Sequence, residues 1–468
     1  MRPHLLILMT DQQRADCMSC AGHPQLRTPN LDRLAREGMR FTQATTASPI
    51  CMPARASFVS GLYPHNHGMW ANQGELPAAD ETFFQILQRA GYCTAQVGKA
   101  HFYEYKSGEH LRSREPYVRA RGLEYVHETT GPNSARRTFS YMTDDWKVKG
   151  LFQSFLEDFR ARAQSETGGV WRSSLPVEDH LDSYVGRKAV EFVETYRDPR
   201  PMCLFVGFGG PHDPWDAPGR YAEMYNPEET PNPIPIPDGL SSLPDAVKTK
   251  PDFAVQPIAL RANVANIRAN YYGKVSLIDD NIGYILDAFQ RRGWLDELLV
   301  VFLSDHGEML GDHGRFRKKT FHESSVRIPL ILRWPPRIPA EAVSEALVEI
   351  GDVFPTLVEA GGGETSARCL GRSLWPLIRR ERLDVREWQI SEIVYGEARV
   401  MLRSRRWKLA IDARGLGYML YDLEGDPEEQ RNLVADAAAR GVELQLRQCL
   451  ASKLKELLYR AGVSPATA

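Results

Sequence analysis

The chain has 468 residues, 43% hydrophobic and 25% charged, with a formal net charge of −2. That length allows roughly two to three domains around a large core, and the near-neutral balance gives no global field for nucleic acid or a membrane surface. No apolar run reaches membrane-spanning length, Leu5–Met9 is too short for a signal core, and seven scattered cysteines make a poor disulfide framework, so a cytoplasmic, reducing setting is expected.

In chain order, His4 to Thr10 is an apolar run of buried-strand length, and Asp11-Gln12 follows directly. In an open parallel sheet ligands bind beyond the carboxyl ends of strands, which makes Asp11 a site candidate; alone it reads equally well as a turn or cap aspartate. Cys17 and Cys20 form a Cys-x-x-Cys with no second pair or histidine ligands nearby and read as structural. Pro29 to Gly38 is a short helix, and Phe41 to Ala47 is a strand. The run Cys51-Met52-Pro53-Ala54-Arg55-Ala56-Ser57 then opens a helix reaching about Ser60, with Pro53 in its first turn. A helix start offers free backbone N–H groups to an anion. Asn72, in Trp70-Ala71-Asn72-Gln73-Gly74, is either a turn residue or a ligand for a substrate oxygen.

Glu81 to Ala90 is an amphipathic helix closed by Gly91. The strand Cys93 to Val97 ends in Gly98-Lys99-Ala100-His101. Residues 103–180 mix charge, Gly, Pro and aromatics, with one helical stretch near Leu151 to Ala163. They read as an insertion that shapes substrate access. Leu181 to Tyr196 is helical, and the strand Met202 to Phe208 ends in Gly209-Gly210-Pro211-His212. A proline-rich loop spans Asp216 to Pro257, and a long helix runs from Ala262 to Arg292. The buried strand Leu298 to Ser304 is followed at once by Asp305-His306-Gly307-Glu308, then Gly311-Asp312-His313-Gly314, Lys318 and Lys319, the last read as a surface residue. A strand over Arg327 to Leu332 follows, and residues 362–388 look irregular. Arg399 to Arg403, Trp407 to Ile411 and Tyr418 to Asp422 alternate like antiparallel strands, before a helix over about 436–460 and a loose tail. There is no internal repeat.

The Cys51-x-Pro53-x-Arg55 core, with Ala56-Ser57 and Gly61-Leu62-Tyr63-Pro64 behind it, resembles the sulfatases. So do Lys99-x-His101, Pro211-His212, Ser304-Asp305-His306-Gly307-Glu308, Gly311-Asp312-His313-Gly314 with Lys318 in the place of the following lysine, and Leu420-Tyr421-Asp422-Leu423 near the end. The resemblance implies an alkaline-phosphatase-like α/β fold. Its parts are a large mixed, mostly parallel sheet flanked by helices over residues 1–365, and a smaller C-terminal α+β subdomain with an antiparallel sheet over 366–468. It implies that Cys51 is oxidised to formylglycine by a formylglycine-generating enzyme. The aldehyde hydrates to a geminal diol at a metal; one hydroxyl attacks a sulfate monoester, and the other then loses its proton and expels the sulfate.

On the same resemblance Asp11, Gln12, Asp305 and His306 hold the metal together with residue 51. Calcium is expected first and manganese second. Many sulfatases have a second aspartate where this chain has Gln12, which offers an oxygen but no charge. Arg55, Lys99 and Lys318 bind the anionic group. His212, expected to titrate near neutrality, is the general acid, and His101 strips the proton from the free hydroxyl, although these two assignments are interchangeable in sequence. Phosphonate monoester and phosphodiester hydrolases share this machinery and the Asp-Gln pair, which some sulfatases carry as well, so they form the nearest alternative. A fold-keeping, non-catalytic binding protein is the alternative of another class, and it would be expected to have lost Cys51, Arg55 or a metal ligand. None is lost. The C-terminal tail is a candidate surface for homo-oligomer contacts.

Overall fold

A computed structural model describes residues 2–165, 169–255 and 263–460. Twelve strands lie among them: β1 (Leu5–Asp11), β2 (Met39–Thr45), β3 (Cys93–Gly98), β4 (Tyr125–Glu128), β5 (Met202–Pro211), β6 (Leu299–Ser304), β7 (Leu330–Arg333), β8 (Ala342–Glu349), β9 (Gln389–Tyr395), β10 (Glu397–Arg403), β11 (Trp407–Asp412) and β12 (Gly417–Asp422). The first eight form one sheet in the order β4-β3-β5-β1-β6-β7-β2-β8, and the last four form an antiparallel sheet in sequence order. In the large sheet only β7 runs against its neighbours, β6 and β2. The mostly parallel large sheet and the smaller antiparallel one are the expected architecture.

The centre of the large sheet is apolar on both faces because helices cover both. Alternate side chains of a strand point to opposite faces. Leu5, Ile7 and Met9 enter a core with Met52, Ala56, Phe58 and Val59 of the Cys51–Ser60 helix. Leu6 and Leu8 enter the opposite core with Val185 and Phe192 of the Leu181–Thr195 helix and with Ile278, Ile282 and Ile285 of the Val264–Arg291 helix. The C-terminal sheet shares the first core through Ile390, Leu402, Leu409 and Leu420.

Register places the functional ends together. Leu5 pairs with Cys203 and with Leu299, and Thr10 pairs with Ser304, so β5, β1 and β6 end side by side. On the far side of β5, Gly98 pairs with Gly207. Glycine is required there: Gly98 has φ +93°, and a Cβ would lie 2.1 Å from the Gly207 carbonyl oxygen. This close approach lets the Lys99 N–H donate to Gly207 O at 2.7 Å and turns the chain toward β1.

One expectation changes, and two strands were not expected. The stretch 103–180 is more than a peripheral insertion, because β4 adds an edge strand to the large sheet, parallel to β3, and short helices surround it. Its helical stretch is Phe152–Gln164. Strands β8 and β9 were not legible: β8 alternates exposed and half-buried residues in its first half, and β9 carries the polar residues Gln389, Ser391 and Glu392 at buried positions. The end of the proline-rich loop, the start of the expected Ala262 helix and the tail beyond residue 460 lie outside the described residues.

Candidate active site

Four adjacent strands deliver the site. β1 ends at Asp11 and is followed by Gln12; β6 is followed by Asp305 and His306; β3 is followed by Lys99 and His101; β5 is followed by His212. The fifth contributor is the Cys51–Ser60 helix, all ten residues of which are buried. Ile50 before it is extended. Gly61 after it is left-handed at φ +67°, where a Cβ would also strike the Cys369 sulfur at 2.5 Å. The helix is thus fixed at both ends, and its first residue, Cys51, faces the strand ends. Asn72 supports that start, because its Oδ1 accepts the Met52 N–H at 3.0 Å.

At the centre, ligand atoms of Asp11, Cys51, Asp305 and His306 all lie within 4.8 Å of one another, and all four residues are buried. The Cys51 Sγ is 3.3 Å from His306 Nε2 and 3.3 Å from Lys318 Nζ. His306 Nδ1 donates to the Gly307 carbonyl at 3.0 Å, which leaves the Nε2 lone pair directed at the cluster, the tautomer a metal ligand needs. Two carboxylates, an imidazole nitrogen and position 51 therefore fit a divalent cation.

Gln12, left-handed at φ +72°, donates its backbone N–H to Asp305 Oδ1 at 3.0 Å. Its side-chain nitrogen donates to Glu308, and its Oε1 accepts from Lys318 Nζ at 2.5 Å, so Glu308 fixes the amide with its oxygen toward the site. Glu308 closes the Asp305-His306-Gly307-Glu308 run, but only the fold shows its contact with Gln12.

Cations surround the carboxylates. Arg55 donates through Nε to Asp305 Oδ2 at 2.8 Å and through Nη1 to the Lys99 carbonyl at 2.8 Å. Its Nη2 is buried, donates to no hydrogen-bond partner, and lies 3.6 Å from Asp11 Oδ2. Lys99 Nζ donates to Asp11, and Lys318 Nζ stands 3.9 Å from the same carboxylate. Burial alone would raise the Asp11 pKa, but Lys99 and then Lys318 hold it well below the ordinary carboxylate value. Burial and Asp11 likewise oppose ionisation of the Cys51 thiol, yet Lys318, Lys99 and His306 bring it below its ordinary value. The site is built for negative charge at residue 51.

Both remaining histidines are held neutral. Burial, then Lys99 and Arg55, push His101 well below 6.5. Its Nδ1 is buried without a partner, and its ring stacks on Tyr105 at 4.4 Å. Burial and then Lys318 lower His212 to about 4, which corrects the near-neutral value expected from sequence. His212 Nδ1 contacts Asp213, at 2.7 Å from its carbonyl and 3.2 Å from Oδ1, and buried Lys274 of the long helix anchors the loop by donating to the His212 carbonyl at 2.8 Å.

All the sequence-predicted residues converge on one region. Cys51, Asn72, Lys99, His101, His212 and Lys318 line a single cavity of about 720 Å³. Lys319, expected at the surface, is half-buried and lines it too. Sequence reasoning missed Glu128, which accepts hydrogen bonds from Tyr103 and Tyr105 at 2.6 and 2.7 Å and from the His101 backbone at 3.3 Å. No local motif marks it, because it arrives on the unforeseen β4.

Comparison with known proteins agrees with this geometry. The sulfatase family model matches residues 3–363, and one described as N-sulphoglucosamine sulphohydrolase, C-terminal, matches residues 311–456. The chain is 29% identical over 444 residues to an arylsulfatase of Clostridium perfringens, covering 93% of this chain and 90% of that one. It is 30% identical over 448 residues to a choline-sulfatase of Rhizobium meliloti, covering 92% and 82%. Among solved structures, a phosphonate monoester hydrolase of Agrobacterium radiobacter has the same fold, with a TM-score of 0.82 at 23% identity over 98% of this chain and 96% of that one.

Proposed function

The chain belongs to the sulfatase family of the alkaline phosphatase superfamily, and from that premise we propose that it hydrolyses sulfate monoesters to an alcohol and inorganic sulfate with the residues gathered around Cys51. The observation that carries this reading is the position of Cys51. It lies at a buried helix start, 3.3 Å from both an imidazole and an ammonium group, at the inner end of an open cavity.

Family membership implies that Cys51 is converted to formylglycine, whose hydrate supplies the attacking hydroxyl; a formylglycine-generating enzyme is the maturation partner this requires. A divalent cation held by Asp11, Asp305, His306 and the Gln12 oxygen, calcium first and manganese second, would supply positive charge that acidifies that hydroxyl and polarises an ester oxygen. The protein's own side chains do the rest. Arg55 Nη2, Lys99 Nζ and Lys318 Nζ bind the sulfate oxygens, and cations fixed in place before the charge develops are worth most. His101, neutral and with a free Nδ1, accepts the proton whose loss releases sulfate. His212 donates a proton to the leaving oxygen. An arriving anionic ester offsets the Lys318 charge that depresses His212 and raises its pKa toward that task.

Hydrolysis of phosphonate monoesters or phosphodiesters is the second reading, favoured by one observation. Gln12, fixed by Glu308 and Lys318, leaves the metal position without the charge of a second adjacent aspartate. The deciding experiment is kcat/KM for 4-nitrophenyl sulfate against a phenylphosphonate monoester, using protein co-expressed with a formylglycine-generating enzyme. A sulfate preference of about tenfold or more, with one divalent metal per chain, supports the proposal. A phosphonate preference replaces it with the second reading, and metal-free protein inactive on both removes the enzymatic assignment.

A further inference from the structure

The sulfate end of the cavity uses up its charge; the outer wall does not. Lining the cavity are Lys99 and Lys318, which lie against Asp11, and Lys319 with five arginines, which do not, against one carboxylate outside the metal cluster, Asp213. Several of these cations are already paired. Lys99 and Lys318 face Asp11, Arg162 pairs with Asp158 at 2.9 Å, and Arg317 pairs with Asp213 at 3.3 Å. Arg136, Arg137, Arg315 and Lys319 have no carboxylate partner among the described residues.

Arg315 is the telling member. It is only 5% exposed, its Nη1 donates to the carbonyls of Pro251 and Ala254 at 2.7 Å each, and its Nε is buried with no partner. Burial lowers its pKa to about 10. A guanidinium desolvated without a counter-charge is costly, and an anion entering the cavity relieves that cost. Two other cations are held in place by rings: Arg136 lies 4.7 Å over Phe159, and Lys319 lies 3.9 Å over Tyr395, both of which line the same wall. Such stacking positions a cation without neutralising it.

We propose that the natural ester carries a second anionic group, a carboxylate or a further sulfate, on its organic part, and that Arg136, Arg137, Arg315 and Lys319 bind it while the inner cations hold the scissile sulfate. This deepens the sulfatase reading and rests on it for the identity of the scissile group. It also sets the chain apart from a quaternary-ammonium ester of the kind for which its choline-sulfatase relative is named, since such a cation would meet like charge along the whole outer wall.

Binding of non-hydrolysable sulfonates tests this without turnover. Calorimetric affinities are compared in pairs: benzenesulfonate with benzene-1,3-disulfonate, naphthalene-2-sulfonate with naphthalene-2,6-disulfonate, and biphenyl-4-sulfonate with biphenyl-4,4′-disulfonate. At least one disulfonate is expected to bind about tenfold or more tighter than its monosulfonate at low salt, and the ratio should shrink as ionic strength rises. In the double variant Arg136→Gln/Arg137→Gln, whose altered side chains are exposed and whose fold should be unaffected, the ratio should fall toward one. If no disulfonate gains over its partner, or the gain survives unchanged in the double variant, the inference is overturned. A failure to hydrolyse aryl sulfates would instead overturn the sulfatase reading, and the two results are read in separate assays.

Discussion

Two buried charge clusters sit within one segment of each other, and only one of them is built for chemistry. The first is the strand-end cluster of Asp11, Arg55, Lys99, Asp305, His306 and Lys318. The second joins the segment after Lys318 to the C-terminal sheet. There Lys408 Nζ lies 2.7 Å from Glu323 Oε1 and 2.6 Å from Glu429 Oε1, while Arg403 donates to both Glu323 oxygens at 2.8 Å. Lys408 and Arg55 are both 0% exposed. Burial and charge therefore do not separate the clusters; the polar groups left over do. In the second cluster every charged side chain has a counter-charge at hydrogen-bond distance. In the first, Arg55 Nη2, and His101 Nδ1 next to the cluster, are buried with no hydrogen-bond partner, beside a cavity that can bring one. Buried polar groups left unpaired beside a cavity are where a ligand can complete the pairing.

Substitution at residue 51 should break the comparison most sharply. Cys51→Ala is expected to lower kcat/KM for an aryl sulfate by roughly 10³-fold or more while leaving the urea midpoint almost unchanged, because the cysteine is the precursor of the nucleophile and its sulfur is not needed for the fold. Lys408→Met should do the reverse. It leaves Glu429 and part of Glu323 buried without their cation, at a cost of about 3–5 kcal/mol in urea unfolding, while kcat/KM per folded molecule stays within about threefold. Loss of activity in Lys408→Met without loss of stability would mean the second cluster is no mere joint.

Acid should probe the joint next. His313 and His322 stack at 4.4 Å where the Lys318 segment meets the C-terminal sheet. Burial lowers His313 to about 4, and burial with His313 alongside lowers His322 well below 6.5. The sign follows from linkage: between pH 6.5 and about 4 the unfolded chain binds these protons and the folded chain does not. Their contribution is therefore complete above pH 6.5 and is lost as pH falls below it; for His313 the loss runs from 6.5 toward 4 and reaches about 3 kcal/mol. His313→Asn suits the left-handed backbone there, φ +53°, and should flatten the acid limb of stability against pH measured by urea titration. An unchanged limb would show that His313 already carries its proton in the fold.

How far sequence reached follows the same division. Strand-end residues were legible because each follows an apolar run of strand length, as Asp11 follows Leu5–Met9 and Asp305 follows Leu299–Ser304, and because short motifs accompany them. The antiparallel C-terminal strands β10 to β12 were legible from alternation. What stayed hidden depends on contacts distant in sequence. Glu128 reaches His101 only through β4, a four-residue strand with one exposed and one half-buried position and no clear periodicity. Lys319 looked like a surface neighbour because sequence does not show that it stacks on Tyr395 from the other sheet. The low pKa of His212 comes from burial and then from Lys318, 106 positions away, neither of which any local pattern reveals.

Asn72 sharpens the comparison at its finest scale, because one side chain faces both the fold and the cavity. Its Oδ1 accepts the Met52 N–H in the first turn of the helix that begins at Cys51, and the residue lines the cavity. Asn72→Ala removes that acceptor and should cost about 1 kcal/mol in urea unfolding, the usual worth of a helix-start hydrogen bond. Asn72→Asp keeps an acceptor for Met52 but removes the amide donors and adds a negative charge beside the sulfate site. It should retain nearly all the stability yet raise KM for an aryl sulfate about tenfold, since a contact with the bound ester lost equally in ground and transition state appears in KM. If Asn72→Asp instead lost stability and kept KM, Asn72 would belong with the fully paired groups that hold the fold, and the amide would have no contact with substrate.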